Sequence, residues 1–178
     1  MFVFDRKQEV YDIAGVKVGG QPGEYATVLA GTIFYAKHYL VEDAEKGIFD
    51  KKKAEEVLKK QEEMSDITGN PAMIQIFSES SEAMRKEIEF CTSVSDLPFL
   101  IDSTVAEAKI AGLKYSDEVG LSDKAVYNSI NVSCSEKELG EIKNSKLSAA
   151  ILLAFNPKDP TVAGKIDLLE TGAGTFEK

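Results

Sequence analysis

The sequence contains little of what marks several classes of protein. Among its 178 residues there are two cysteines, one histidine and no tryptophan. Cys91 and Cys134 lie far apart and without CxxC spacing, which argues against a disulfide framework and indicates a reducing, cytoplasmic setting. A single histidine, His38, with no second His or Cys nearby is a poor metal site, so we expect no bound metal ion.

Long apolar runs and a signal peptide are missing as well. No stretch approaches the roughly 18 to 20 apolar residues of a membrane span, and the first residues lack the basic start of a signal sequence. Thirty acidic against 21 basic side chains leave a formal charge of -9, which repels the phosphates of nucleic acids. The sequence therefore predicts a chain that neither spans a membrane nor binds nucleic acid.

The residues that are present have the composition of a folded domain, with 43% hydrophobic and 29% charged side chains. We expect residues 1–178 to form a single domain. Residues 2–4 and 10–18 form two short strand-like stretches on either side of the charged residues Asp5, Arg6 and Lys7, and a glycine-rich segment follows at 19–23. This pattern predicts that residues 1–25 form a small β-hairpin, with one strand in each of these stretches, and a turn.

From residue 26 onward, short apolar runs alternate with longer amphipathic segments, which is typical of α/β proteins with a parallel sheet. Gly69-Asn70-Pro71 is a stop signal for the first helix. The residues placed to cap helices are Asp50, Ser80, Thr104 (in a capping box with Glu107) and Ser135 (in a capping box with Glu138). The apolar runs that predict strands are residues 27–35, 73–77, 99–101, 125–127 and 149–155.

The spacing of these strands favours a (β/α)8 barrel of the TIM type. Strand starts at residues 73, 99, 125 and 149 are 26, 26 and 24 residues apart, one β/α unit each. Since such barrels need about 250 residues, we expect residues 26–178 to supply the first five units, with no helix after the fifth strand. A doubly wound open sheet is the rival fold, but no glycine-rich loop directly follows the first strand, and Gly172 and Gly174 do not closely follow any strand.

Polar residues stand just past the predicted strand ends. In a parallel barrel these positions meet at one mouth, where barrel enzymes place their sites. A carboxylate and two amides at one mouth suit a polar heteroaromatic ring such as a pterin, although Asp and Asn also commonly cap helices or tie loops. The positions are Ser78, Glu79, Asp102, Ser103, Asn128, Ser129 and Asn156.

Several segments together resemble one family, the H subunits of tetrahydromethanopterin S-methyltransferase. The resemblance extends from Met1 to the end of the chain. The segments are Gly19-Gly20-Gln21-Pro22-Gly23-Glu24-Tyr25, Gly31-Thr32-Ile33-Phe34-Tyr35-Ala36-Lys37-His38, Val41-Glu42-Asp43, Gly47-Ile48-Phe49-Asp50, Ile101-Asp102-Ser103-Thr104, Tyr127-Asn128-Ser129-Ile130-Asn131 and Leu153-Ala154-Phe155-Asn156-Pro157.

The resemblance implies a methyltransferase built on a pterin-binding barrel. Such subunits move the N5-methyl group of methyl-tetrahydromethanopterin to the cob(I)amide of a partner corrinoid subunit, from which it passes to coenzyme M in archaeal methanogenesis. It implies a cytoplasmic subunit that binds no cofactor tightly, lies peripheral to a sodium-translocating membrane complex and contacts its other subunits. We also expect a homo-oligomer.

The resemblance also implies roles for individual residues. Asp102 matches a pterin-binding aspartate and Asn128 a pterin-binding asparagine, and Asn128 is also our candidate catalytic residue. We place Ser103 and Asn156 in the same pterin site. Family members continue through three further strands with a second pterin-binding aspartate, so the resemblance implies that these 178 residues hold part of the pocket.

Two other functions fit the same residues. A methyl-tetrahydrofolate:corrinoid methyltransferase would look almost the same here, because both pterins share the ring system. A scaffold that binds the corrinoid subunit and no pterin is the alternative from another class. An aldolase-like barrel is disfavoured, because no predicted strand end carries a lysine for a Schiff base.

Overall fold

The computed structural model of the chain describes residues 2–173, with side chains as far as Glu170. The last five residues, where the sequence predicted an end without a closing helix, lie outside the described residues. No helix within residues 2–173 has the length and apolar character that crossing a membrane requires.

The chain begins with an antiparallel hairpin formed by β1 (Val10–Ile13) and β2 (Val16–Gly19). The prediction of a hairpin within residues 1–25 is confirmed, but the expectation of a strand at residues 2–4 is wrong, because both strands lie within residues 10–19. Ala14 and Gly15 form the turn with positive φ angles of 47° and 89°, and Asp12 Oδ1 accepts a hydrogen bond of 2.7 Å from Gly15 N. This two-residue turn pairs the residues directly before it with those directly after it, so residues 2–4 are not part of the hairpin.

Regular structure then alternates between strands and helices. Helix α1 begins after Asp50, whose side chain accepts from Lys53 N, and ends at Gly69 in the left-handed conformation, as predicted. The elements are β3 (Leu29–Ile33), β4 (Val41–Asp43), β5 (Ile48–Phe49), α1 (Lys51–Thr68), β6 (Ala72–Phe77), α2 (Ser81–Val94), β7 (Phe99–Asp102), α3 (Ala106–Glu118), β8 (Ala125–Ile130), α4 (Glu136–Asn144), β9 (Ala149–Leu152) and α5 (Val162–Ala173).

Five of the strands form one parallel sheet in the order β3-β6-β7-β8-β9, which is also their order along the chain. The predicted α/β class and parallel sheet are confirmed. The small pair β4-β5 is a separate antiparallel sheet that the sequence did not predict.

The two faces of the sheet pack against different partners. Alternate strand residues such as Ile74, Phe99 and Ile101 join α1 and α2 in the main apolar core. The residues between them, Leu100 and Val126 among them, pack against Ile13 and Val16 of the hairpin in a second cluster. The hairpin therefore covers the face of the sheet opposite the main core, near the amino ends of the strands.

Two predictions about helix ends are wrong. Helix α3 has Val105 at its N-cap with no side-chain cap, because the Ser103 hydroxyl accepts from Val105 N at 2.9 Å, and Glu107 pairs with Lys137 instead of closing a capping box on Thr104. The predicted absence of a helix after the fifth strand is also wrong, since α5 follows β9.

Thr161 explains the start of α5. Its carbonyl accepts from Lys165 N at 3.1 Å, and its hydroxyl accepts from Gly164 N at 3.2 Å. A hydroxyl that accepts from the third residue onward is the usual cap of a helix start. The signal was therefore present in the sequence, at the threonine after Pro160.

Candidate functional site

A polar pocket of about 390 Å³ lies at the carboxyl ends of β7 and β8. The walls come from these two strands, from the loops that follow them, and from α3 and α4. Four predicted positions line it together with three charged or nucleophilic side chains that we did not assign to the site: Asp102, Ser103, Asn128 and Ser129, with Lys109, Cys134 and Glu138.

Asp102 and Asn128 stand opposite each other in the parallel register of β7 and β8. Neighbouring strands are about 4.8 Å apart, so the two side chains are close neighbours. Both follow the alternation of Leu100 and Val126, so they lie on the hairpin's side of the sheet and away from the main core. The peptide bond between Asn128 and Ser129 is cis.

Gln75 of β6 orients the Asp102 carboxylate. Its Nε2 donates to Asp102 Oδ2 at 2.6 Å, and the Asp102 side chain is half-buried. Burial raises the pKa of Asp102, and the hydrogen bond from Gln75 and the charge of Lys109 oppose that rise. The result is a fixed hydrogen-bond acceptor in the lining of a polar pocket.

Ser103 is nearly buried and serves the loop after β7. Its hydroxyl donates to the Ser78 carbonyl at 2.6 Å and accepts from Val105 N at 2.9 Å. The hydroxyl lines the pocket while it fixes the loop between β7 and α3.

Ser78 and Glu79, the predicted residues after β6, are not among the described residues that line the pocket. Ser78 N donates to the Asp102 carbonyl at 3.1 Å, and a hydrogen bond joins Ser78 Oγ to Glu87 Oε2 of α2. Burial, and next the charge of Glu79, raises the pKa of Glu87 to about 9. A neutral carboxylic acid therefore stands behind the strand ends at neutral pH.

Asn156 lies apart from the other predicted site residues. Its Nδ2 donates to the Gly164 carbonyl at 3.1 Å, and its Oδ1 accepts from Lys158 N and Asp159 N. These bonds form a turn before α5, and Asn156 is not among the described residues that line the pocket.

A buried ion pair in the pocket wall was missed by reasoning from the sequence. Lys109 Nζ of α3 lies 2.6 Å from Glu138 Oε1 of α4, and both side chains are almost completely buried. The Tyr127 hydroxyl donates to the same Glu138 oxygen. Burial alone would raise the pKa of Glu138, but hydrogen bonds from Lys109 and Tyr127 outweigh burial and lower it.

The sequence did hold partial signals for this pair. Lys109 lies within an apolar segment of α3, four residues before the buried Leu113, so a solvent-facing lysine would be out of place there. Glu138 was recognised as a capping-box residue, and it does cap α4 through Ser135. Because the capping role explained Glu138, the sequence did not indicate its second role, as the partner of Lys109 in the pocket wall.

The two cysteines and the histidine were the other residues considered for chemistry. Cys91 is buried on α2 as predicted, and Cys134 is a loop thiol whose position beside the pocket the sequence did not indicate. His38 packs between Tyr35 and Tyr39, with ring centroids 4.8 Å from each. Within residues 2–173, no three or more His, Cys, Asp or Glu side chains are grouped to hold a metal ion.

Comparison with known proteins identifies relatives over nearly the whole chain. The family model described as tetrahydromethanopterin S-methyltransferase MtrH subunit matches residues 6–178. The H subunit of tetrahydromethanopterin S-methyltransferase from Methanothermobacter marburgensis is 59% identical over 178 residues, which is 100% of this chain and 57% of that protein.

Two further relatives give similar figures. The H subunit of the same enzyme from Methanocaldococcus jannaschii is 54% identical over 100% of this chain and 56% of its own length. The H subunit of a putative methyltransferase, mtx, from Methanosarcina mazei is 49% identical over 100% of this chain and 57% of its own length. The chain thus spans a little over half the length of the curated relatives it matches.

Proposed function

Because the chain belongs to the tetrahydromethanopterin S-methyltransferase MtrH subunit family, we propose that its polar pocket binds the pterin ring of methyl-tetrahydromethanopterin for methyl transfer. The observation that carries the proposal is the pairing of Asp102 with Asn128 across β7 and β8, at the carboxyl ends of parallel strands. Enzymes with parallel β/α architecture place their sites at this end of the strands.

The fold in this proposal is the first five units of a TIM-type (β/α)8 barrel, within a single pterin-binding domain of residues 1–178. Strand order equal to chain order supports a barrel, because a doubly wound sheet reverses its order near the middle. The two core clusters add support, since helices join the cluster on one face and the hairpin joins the other. In a barrel the hairpin side is the interior, and the hairpin would close its lower end.

Ring recognition in this proposal uses the edge of the pterin that carries N–H groups. Asp102, held by Gln75, accepts from these donors, and Asn128 can both donate and accept. Ser103 supports the loop beside the ring. Asn156 remains a proposed pterin-binding residue from the fifth unit, and its side chain in this structure forms the turn before α5.

The methyl transfer requires that the departure of N5 from the methyl carbon be assisted. N5 is the leaving group when the methyl carbon forms its bond to the acceptor, and N5 departs poorly unless it gains a proton or a hydrogen bond as the N5–methyl bond breaks. The acceptor in this proposal is the cob(I)amide of a partner corrinoid subunit, and coenzyme M is the later recipient. A well-placed proton or hydrogen bond at N5 is worth about 10²–10⁴-fold. In this proposal Asn128 holds the ring or an ordered water during that step.

The partners and location follow from the same proposal. The chain would be a cytoplasmic subunit, peripheral to a sodium-translocating membrane complex, that docks a corrinoid subunit at the pocket mouth and forms a homo-oligomer. It would bind the methylated pterin as a substrate and carry no tightly bound cofactor.

Titration calorimetry with methyl-tetrahydromethanopterin tests the proposal. The two samples are the 178-residue chain and a completed chain, in which these residues are joined to the part of the Methanothermobacter marburgensis relative that they do not cover. We expect binding by the completed chain. Binding of methyl-tetrahydrofolate in preference would favour the folate-using relative, and binding of neither compound would favour a scaffold.

A further inference from the structure

Lys109 occupies an unusual place in the pocket wall. It is a cation with 5% of its surface exposed, on α3, facing the carboxyl ends of β7 and β8. Its Nζ lies 2.6 Å from Glu138 Oε1, donates to the Ser129 carbonyl at 3.3 Å, and sits 4.8 Å from the centre of the Tyr127 ring. An ammonium group has three donors, so a carboxylate, a carbonyl and a ring face engage all of them.

These contacts show that Lys109 differs from a lysine that binds a ligand directly. A lysine that binds substrate offers its ammonium donors to the ligand, whereas Lys109, although it lines the pocket, has its ammonium engaged by Glu138, the Ser129 carbonyl and the Tyr127 ring. Its charge nevertheless acts on the pocket, because Lys109 lowers the pKa of Asp102 against the effect of burial. The side chain is therefore arranged to act through its neighbours.

The surroundings of Asp102 make Lys109 its main charged neighbour. Across the sheet, β6 presents Gln75 and β8 presents Asn128, and both are neutral. Helix α3 contributes the Lys109 ammonium, while Glu138 of α4 and the Cys134 thiol face Lys109 from the far wall of the pocket.

A buried ion pair needs an explanation beyond stability. Burying two charges has a desolvation cost that their attraction often fails to exceed, and well-packed apolar residues commonly do as well. The Lys109–Glu138 pair borders the pocket, and its lysine touches the carbonyl of the residue after Asn128. Both facts connect the pair to the site.

We propose that Lys109, held by Glu138, is a positioning residue of this pocket: its ammonium group fixes the backbone at Ser129 beside Asn128 and places a positive charge in the wall that Asp102 shares. The identity of the ligand in this inference rests on the proposed function. An ionised Asp102 accepts hydrogen bonds from the N–H edge of a ring, and a protonated one loses part of that capacity.

The experiment compares two lysine variants in the completed chain. Lys109→Met removes the buried charge and keeps most of the side-chain stem. The matched control is Lys114→Met on the same helix, which removes another ion pair between α3 and α4, the 2.6 Å contact with Glu141, away from the pocket. If Lys109→Met fails to fold, the double variant Lys109→Met with Glu138→Gln removes both charges and takes its place.

The readouts are the pKa of the Asp102 carboxyl, followed by carbon-13 NMR and assigned with Asp102→Asn, and the pH dependence of methyl-tetrahydromethanopterin binding. We expect the Asp102 pKa to rise by about one unit in Lys109→Met, as loss of a nearby opposite charge requires, and to rise less in the double variant, which also loses the like charge of Glu138. The pH at which binding weakens on acidification should move upward with it. Lys114→Met should change neither.

If the Asp102 pKa in Lys109→Met equals that of the unmodified protein, the inference is overturned, whether or not the melting temperature falls. Lys109 would then serve only the packing of the fold. An altered pKa with an unaltered binding profile would overturn it too. If the pKa rises as expected while even the unmodified completed chain fails to bind the pterin, the electrostatic role of Lys109 is supported and the proposed function fails on its own.

Discussion

Asp102 and Asn128 face each other in neighbouring strands, but their chemistry suits them to different tasks. A carboxylate only accepts hydrogen bonds when ionised, whereas an amide both donates and accepts. We therefore expect substitution of Asp102 to affect ring binding, and substitution of Asn128 to affect the transfer step.

Asp102→Ala in the completed chain is expected to weaken methyl-tetrahydromethanopterin binding by about 1.5–3 kcal/mol, because a ring donor loses its charged acceptor. Calorimetry measures the change. Asp123→Ala, at an exposed aspartate before β8 and so at the other end of the sheet, is the control. An unchanged dissociation constant for Asp102→Ala would remove Asp102 from the pterin site.

Asn128→Ala is expected to slow methyl transfer by about 10²-fold or more while changing pterin affinity less, because its main contribution comes as the bond to N5 breaks. Stopped-flow spectra of cob(I)amide consumption measure the rate, with the exposed Asn144→Ala on α4 as the control. A rate equal to that of the unmodified protein would end the case for Asn128 as a catalytic residue.

Glu87 makes the stability of the fold depend on pH. Its pKa is about 9 in the folded chain and near 4.5 when unfolded, so between these values the unfolded state releases a proton that the folded state keeps. The free energy of unfolding therefore falls as pH rises, by up to about 1.4 kcal/mol per pH unit.

Glu87→Gln is expected to remove this slope, because an amide does not titrate and has a similar shape. Melting temperatures of the completed chain from pH 5 to pH 9 give the slope, and Glu89→Gln, an exposed glutamate on the same helix, is the comparison. Equal slopes for Glu87→Gln and the unmodified protein would show that Glu87 is ionised in the folded state.

At the scale of elements, α3 packs unusually closely against its neighbours. A Cβ atom added at Gly112 would lie 2.8 Å from Ile101 Cγ2 of β7 and 2.8 Å from Met84 Cγ of α2. Glycine in a helix interior is unfavourable by about 1 kcal/mol relative to alanine, so its presence here reflects the close approach. The packing sets where α3 presents Lys109.

Gly112→Ala is expected to destabilise the completed chain by about 1–3 kcal/mol, because overpacking of a tight core exceeds the gain in helix propensity. Gly140→Ala on α4 is the matched control, since a Cβ there meets no atom within 4 Å and should add about 0.5–1 kcal/mol. Urea unfolding measures both. A Gly112→Ala variant as stable as Gly140→Ala would contradict the close packing of α3.

At the scale of the whole molecule, one group of exposed apolar side chains lies near the last strand and helix. Side chains exposed by a third or more include Leu152, Leu153, Phe155, Val162 and Ile166. β3 and β9 are also the two edges of the parallel sheet, and unpaired edges with apolar neighbours promote association.

We therefore expect the 178-residue chain by itself to self-associate and to melt without a sharp transition, and the completed chain to melt cooperatively. Calorimetric scans and sedimentation velocity compare the two. A sharp, cooperative melt of a monomeric 178-residue chain would contradict this expectation, because the exposed edges would then be tolerated.

The sequence by itself determined the class of fold and most of its elements. Apolar runs marked the five parallel strands, and Asp50, Gly69, Ser80 and Ser135 marked helix ends, because these signals act over a few residues. Family segments and strand ends also led to Asp102 and Asn128, which the structure places in one pocket. Their roles stay predictions.

Tertiary structure alone decided the features that join distant parts of the chain. The turn at Ala14 and Gly15 places both hairpin strands within residues 10–19, and not one of them at residues 2–4. Glu107 pairs with Lys137 and does not form the expected capping box. Lys109 and Glu138 are 29 positions apart and meet where α3 and α4 pack over β8. A sequence pattern records local preference, but the environment of a buried charge is set by side chains that approach only in the folded state.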